Sequence, residues 1–375
     1  MFDVKNLLAS GKNMFGLDAI KNLFPASKSL AGLDIGSSAI KLAEIVETPK
    51  GFILSRFSRI PLATGIIVDG VPVEHQELAE KIKQLFKQSG CKRKSIVTSL
   101  SGHSVIIKKV NFPTMDETEL RDLIKDEAGK YLPFDSMEDV SYDFQVLGEN
   151  EFNPNQMDVI IVAAKNEVVN TYADAIRQAG YLPVIMDVDS FALETMYEEN
   201  YDFEDNEMVV LVNIGASITN INVLKGGTSV FTRDFMLAGN SITEALGQKM
   251  GIAFEEAERI KIYGPNGDEA ADKEFRESLL YYADPICSEI ERSVDYFRST
   301  YGGEFLKRVL LSGGSARIPG LVGDLAQRLG VEAEIANPFK KIGYDAKALG
   351  QATIEEIAPV AAVGVGLALR KVGDK

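Results

Sequence analysis

One five-residue signal occurs twice in this chain, as Asp34-Ile35-Gly36-Ser37-Ser38 and as Asn213-Ile214-Gly215-Ala216-Ser217, 213 − 34 = 179 positions apart. Each copy follows an apolar run, Leu30-Ala31-Gly32-Leu33 in one case and Val209-Val210-Leu211-Val212 in the other, and precedes an alternating one. That pattern predicts a strand, a Gly-containing turn and a second strand. A single Asp-Ile-Gly is an ordinary tight turn. Two copies at domain-length spacing constrain the chain to two similar domains that face one shared site.

The residues of the doubled turn suit a polyphosphate. Gly36 and Gly215 permit positive φ and close approach to an oxygen, while Ser37, Ser38, Ala216 and Ser217 are small enough for successive N–H groups to form an anion nest. In this reading Asp34 holds a hydrated Mg²⁺, since a hard cation prefers carboxylate and water oxygens. Lys41 screens phosphate charge, and Thr219 offers a hydroxyl in the second hairpin. Asn213 removes one negative charge from the metal's surroundings, although it still accepts a hydrogen bond from metal-bound water. Asp189, with Asp187, is a further candidate for metal water, but Asp189 and Ser190 are equally good N-cap residues for the helix that follows.

Length and charge bound the rest. At 375 residues the chain exceeds a usual single core. A net charge of −15 argues against general nucleic-acid binding, which needs Lys and Arg to neutralise phosphates. Cys91 and Cys287 stand far apart without a CxxC pair, which suggests neither a zinc site nor a disulfide framework and points to a reducing compartment. Two histidines, His75 and His103, argue against a His-based metal centre. No secretory signal is visible, and no apolar run reaches the roughly 18 residues of a membrane span. Residues 1–29 form a leader in which Phe2, Val4, Leu7, Leu8, Met14 and Phe15 alternate with Lys and Asn. It reads either as an amphipathic arm or, because Gly11 and Gly16 interrupt it, as a loosely ordered leader.

Periodicity divides the remainder. Residues 30–103 and 165–200 make a first domain, with 104–164 an inserted subdomain of strands around a helix that Asp116 begins and Pro133 stops. Its face carries Leu120, Leu123, Ile124 and Ala128. Residues 207–354 make a second domain with a helical subdomain at about 240–305, in which Pro285 predicts a kink or break. Helix 355–370 returns to close the first domain. Val309 to Gly320 reads as an apolar strand entering a Gly-rich turn and a helix. A backbone as open as Gly313 and Gly314, beside Ser315 and Arg317, can lie flat against a base and ribose.

The two hairpins, the Leu311-Ser312-Gly313-Gly314-Ser315 turn and the Ala361-Ala362-Val363-Gly364-Val365-Gly366 helix, in this order, resemble the actin, Hsp70 and sugar-kinase superfamily. The resemblance implies an α/β actin-like ATPase fold with a nucleotide cleft between the domains. Ala257-Glu258-Arg259-Ile260-Lys261 is similar to the adenosine-contacting helix of FtsA and Hsp70 types. Glu258 and Lys261 lie one turn apart and can point the same way, and a surface ion pair is the other reading of that spacing. More narrowly, Gly32-Leu33-Asp34-Ile35-Gly36-Ser37-Ser38, Tyr131-Leu132-Pro133-Phe134 and Asp187-Val188-Asp189-Ser190-Phe191-Ala192-Leu193 resemble the PilM family of type IV pilus assembly. That likeness implies ATP and Mg²⁺ as ligands, weak or no ATPase activity, and an insert of the FtsA kind. It also implies a location at the cytoplasmic face of the inner membrane. The partner it implies is the N-terminal peptide of a PilN-like inner-membrane protein, with other pilus assembly components beside it. An FtsA-like division protein and a small-molecule kinase of the same superfamily are the alternatives.

Overall fold

The computed structural model describes residues 2–3, 30–134, 136–150, 153–265, 269–301, 306–345, 348–350 and 352–373. Most of the leader, and the side chain of Ala128, lie outside the described residues. Strands Ala31–Ile35 and Ala39–Thr48 form the first hairpin, with Asp34 opposite Lys41. Gly51–Pro61 pairs antiparallel with its second strand, while Ser95–Leu100 and then Leu182–Val188 add in parallel on the other side. The second half repeats this plan. Met208–Ile214 and Thr219–Lys225 form the hairpin, Thr228–Phe235 pairs antiparallel with it, and Leu306–Ser312 and Glu332–Ile335 add in parallel. Both sheets therefore run third, second, first, fourth, fifth strand, with the doubled turn at the same place in each. The first sheet gains two short edges, Phe2–Asp3 beyond Leu182–Val188 and Gly343–Tyr344 beyond Gly51–Pro61.

Strand alternation shares the central strands between cores, because successive side chains point to opposite faces. Val210, Val212 and Ile214 pack with the helices of the second domain, whereas Val209 and Leu211 pack against the closing helix Ile354–Leu369. That helix and helix Asp189–Asn200 lie between the two sheets in one core drawn from both halves. A helix buried on every side must be apolar all round, as Val360 to Leu369 is. It must also be thin where it meets backbone. A Cβ on Gly366 would stand 1.7 Å from the Ala192 carbonyl oxygen, and one on Gly32 would stand 2.4 Å from the Gly364 oxygen.

The insert is a three-stranded antiparallel sheet in the order Val105–Pro113, Gln156–Lys165, Val140–Glu149, with helix Glu117–Tyr131 on one face. Asp116 caps that helix by accepting from the Thr118 and Glu119 amides at 2.9 Å. Val159, Ile161 and Ala163 face the helix with Leu120 and Ile124, and Ile160, Val162 and Ala164 face the first domain. Of the kink or break expected at Pro285, the break does not occur: helix Glu269–Tyr301 runs through the proline, because Leu279, Ala283, Ile286 and Ile290 hold both sides of it in one core. The capping expectation fails. Helix Asp189–Asn200 has Val188 at its N-cap with no side-chain capping bond, so Asp189 and Ser190 are not its caps.

Candidate functional site

The two hairpin turns meet across a cleft of about 1040 Å³. Ser37 Oγ and Ser217 Oγ lie 2.7 Å apart, hydrogen-bonded from one half of the chain to the other. The turn glycines are needed for space rather than for positive φ. Neither Gly36 nor Gly215 adopts a left-handed φ, which corrects the sequence expectation. A Cβ on Gly215 would lie 2.9 Å from the Ile218 carbonyl oxygen, and one on Gly36 3.3 Å from that of Ala39.

The two turns differ in charge. Lys41 Nζ donates to Asp34 Oδ2 at 2.8 Å, both half-buried in the cleft wall. At the matching register of the second hairpin, Asn213 Nδ2 donates to Asn220 Oδ1 at 3.0 Å. An ion pair in the first jaw is thus replaced by an amide pair in the second. The spacing of seven residues is common to both pairs and marks Asn220 as a site residue that sequence reading passed over. Asn220 is buried, lines the cleft and stands opposite Asp234 of the next strand. Ser312 Oγ also reaches Asn213 Oδ1, at 3.3 Å.

Asp189 lines the cleft beside the first hairpin, where its Oδ1 accepts from Ser99 Oγ at 2.5 Å. Burial, and then the Asp34 charge, push its carboxyl up to about 7. Asp234 in the second half accepts from the Gly102 amide at 2.6 Å across the domain junction, and burial raises its pKa too. Asp187 does not reach the cleft. Its fully buried Oδ2 takes the Arg370 guanidinium at 2.6 Å, so it serves the end of the closing helix. Thr219 is also turned away: it is fully buried, and its Oγ1 donates to the Leu237 carbonyl oxygen at 2.8 Å.

Glu258 and Lys261 point into the far end of the cleft as a 2.6 Å pair. Lys261 Nζ also donates to the Gly239 carbonyl oxygen at 2.9 Å and to Thr243 Oγ1 at 2.7 Å. Thr243 Oγ1 in turn donates to Glu258. Burial lowers the Lys261 pKa, while Glu258 opposes that shift. Helix Gly239–Met250 opens onto the second turn, its Gly239 and Asn240 amides donating to the Gly215 and Ala216 carbonyls. Asn240 Nδ2 adds a bond to Ser217 Oγ at 3.0 Å. Opposite, Gly313 takes φ +90° and donates its amide to the Pro359 carbonyl at 2.7 Å. A Cβ there would lie 2.2 Å from the Ile214 oxygen, so the turn Gly313, Gly314, Ser315 lies flat against the second hairpin, with Arg317 beside it.

The cleft reverses the charge of the chain. Lys41, Arg56, Arg59, Lys261, Arg276 and Arg317 line it against Asp34, Asp189, Glu258 and Glu356, six cations to four acids, in a protein of net charge −15. Such a wall favours a polyanion. Among the described residues no group of three or more His, Cys, Asp or Glu is gathered as a metal site. Nor is any described helix long and apolar enough to cross a membrane.

A family model described as type IV pilus assembly protein PilM matches residues 32–372. A solved PilM–PilN type IV pilus biogenesis complex is similar at 29% identity and a TM-score of 0.81, over 93% of this chain and 100% of that one. The ethanolamine utilization protein EutJ of Carboxydothermus hydrogenoformans shares the fold at 16% identity and a TM-score of 0.53, over 92% of this chain and 90% of that one. The fold is the α/β actin-like one, as the doubled hairpin led us to expect.

Proposed function

The chain belongs to the PilM family of type IV pilus assembly proteins, and from that membership we propose that it is an ATP-binding adaptor. Its partner is the cytoplasmic N-terminal peptide of a PilN-like inner-membrane protein, which places it at the cytoplasmic face of that membrane. The observation that carries the nucleotide half is the meeting of two small-residue turns, 2.7 Å apart at Ser37 and Ser217, in a cleft richer in cations than acids. Gly36, Ser37, Ser38 and Lys41 on one side, and Gly215, Ala216 and Ser217 on the other, take the phosphates. Glu258 and Lys261 with Gly313, Gly314, Ser315 and Arg317 take the adenosine. The partner half is supported by the likeness to a PilM–PilN complex across the whole of that chain.

Mg²⁺ fits the donor set. Burial and then the Asp34 charge raise Asp189, and Asp34 and Asp189, with Asn213 accepting from a metal-bound water, would hold a hydrated divalent cation whose charge would offset that repulsion. When bound, the ion neutralises phosphate charge. The second jaw, having an amide pair in place of an ion pair, grips mainly through backbone and hydroxyl groups. This supports a protein that holds nucleotide rather than turning it over rapidly. Titration with ATP, with and without Mg²⁺, tests the reading. Asp34→Ala should weaken Mg²⁺-dependent affinity by about 1–3 kcal/mol, and unchanged affinity would remove Asp34 from the site.

A further inference from the structure

Lys81, Lys83, Lys87, Lys92, Arg93 and Lys94 fall within a short stretch, residues 81–94, that contains no acid. The chain as a whole carries −15, so everything outside that stretch carries −15 − 6 = −21. The stretch is the second half of helix His75–Ser89 and the turn leading into strand Ser95–Leu100. Two of its cations are spent on acids: Lys83 meets Glu80 at 2.7 Å, and Arg93 Nε meets the buried Glu44 at 2.6 Å. Lys87, Lys92 and Lys94 are exposed and make no ion pair among the described residues. The negative end of the helix dipole accounts for Lys87 in the last turn. It does not account for Lys92 and Lys94, which lie beyond the Gly90 cap.

These lysines adjoin an apolar spot. Lys94 Nζ lies 4.6 Å over the ring of Tyr181, which stacks on Phe86 at 3.9 Å, and the Lys94 carbonyl accepts from the amide of Leu182, itself 39% exposed. The surface stands at the end of the first sheet where its parallel strands begin, at Ala31, Ser95 and Leu182. The cleft stands at the other end, beyond Ile35, Leu100 and Val188. Strands of this length put the two ends roughly 17–23 Å apart.

We propose that this end of the first domain is a membrane-facing surface that binds anionic phospholipid headgroups, with Lys87, Lys92 and Lys94 on the phosphates and Tyr181 and Leu182 at headgroup level. Charge and residue type select that occupant. Protein interfaces are depleted in lysine and enriched in arginine, whereas the arginine here, Arg93, is turned inward onto Glu44. Flexible lysines, as point charges, suit a diffuse sheet of phosphates, and tyrosine is at home where headgroups meet hydrocarbon. The acids elsewhere do not cancel the attraction, because charges beyond about 8 Å are largely screened at physiological salt. A bilayer held at this end leaves the cleft facing away from it. The surface does not depend on the adaptor reading above, which supplies only the reason for a membrane to be near.

Flotation of the full chain tests this, with vesicles of phosphatidylglycerol mixed with phosphatidylcholine and with phosphatidylcholine alone. The protein should bind the anionic vesicles only, and less as salt rises. Combining Lys87→Gln, Lys92→Gln and Lys94→Gln should lower vesicle affinity by about a hundredfold, each lysine supplying about fivefold. A control combining Lys125→Gln, Lys249→Gln and Lys273→Gln removes equal charge from exposed lysines of other elements and should bind as the parent does. Both variants should unfold at the parent's temperature, since the altered side chains are exposed. Equal affinity of parent and first variant overturns the surface, and so does an equal loss in the control. A parent that binds polyglutamate but no vesicle assigns the lysines to an acidic protein and overturns the lipid reading. Vesicle binding by a parent that takes neither ATP nor a PilN-type peptide removes the adaptor reading and leaves the surface standing. A first variant that loses vesicles but keeps ATP is the result expected of two separate sites.

Discussion

Single residues decide what the cleft can hold. The Asp34–Lys41 pair puts a charged group of each sign in the cleft, whereas Asn213 meets Asn220 through a single amide bond without charge. Asn213→Asp would place a carboxylate opposite Asn220 with no cation to meet it. The variant should lose on the order of 1 kcal/mol of ligand-free stability in urea titration and bind ATP with a steeper Mg²⁺ dependence. A second buried acid bears on pH. Glu194 accepts from the hydroxyl and amide of Ser229 across the domain junction, and burial, then Glu198, push it up to about 7 against the pull of Ser229 and Arg370. Because its folded pKa exceeds the ordinary 4.5, the folded state holds the extra proton. Its contribution to stability is complete below about 4.5, is lost as pH rises towards 7, and stays lost above. Glu194→Gln should abolish that slope. It should match the parent near pH 4.5 and exceed it by on the order of 1–2 kcal/mol at pH 8, as thermal unfolding at both pH values would record.

At the scale of elements, the closing helix carries the strictest demands. Gly366 meets the Ala192 backbone too closely for any side chain. Gly366→Ala should therefore cost about 3 kcal/mol or more by denaturant unfolding, against a negligible cost for Gly323→Ala, where a Cβ meets nothing within 4 Å. The same helix ends on the buried Arg370–Asp187 pair, and Arg370→Ala should cost about 3–5 kcal/mol because it strands Asp187. The insert is less separable than its sequence suggests. Its central strand puts Ile160, Val162 and Ala164 into the first domain's core, so removing residues 104–164 would uncover that core. Point changes are the cleaner probe of partner binding.

For the molecule as a whole, the core around helices Asp189–Asn200 and Ile354–Leu369 draws residues from both sheets. The two halves should consequently unfold together, giving a single calorimetric transition; two resolved transitions would contradict a shared core. Bonds across the cleft, Ser37 to Ser217 and Gly102 to Asp234, set the spacing of the jaws. Nucleotide can alter partner affinity only through contacts that differ between the arrangements it selects. ATP at about 100 times its Kd should raise unfolding free energy by about 2.7 kcal/mol. In Asp34→Ala the gain at that same ATP concentration should be smaller.

The sequence by itself determined the duplication and the two strand–turn–strand hairpins, because turn chemistry and alternation are local and repeat at a fixed distance. Tertiary structure decided the rest. Thr219 was legible as a hydroxyl but not as one spent on Leu237, and Asp187 as an acid but not as the partner of Arg370, 183 residues away. Asn220 could have been found from the seven-residue spacing of Asp34 and Lys41. The strand at Phe2–Asp3 could not, since pairing with Ile185 and Met186 is fixed by where a distant sheet edge lies. Such contacts carry no sequence period, and only the packed chain brings them together.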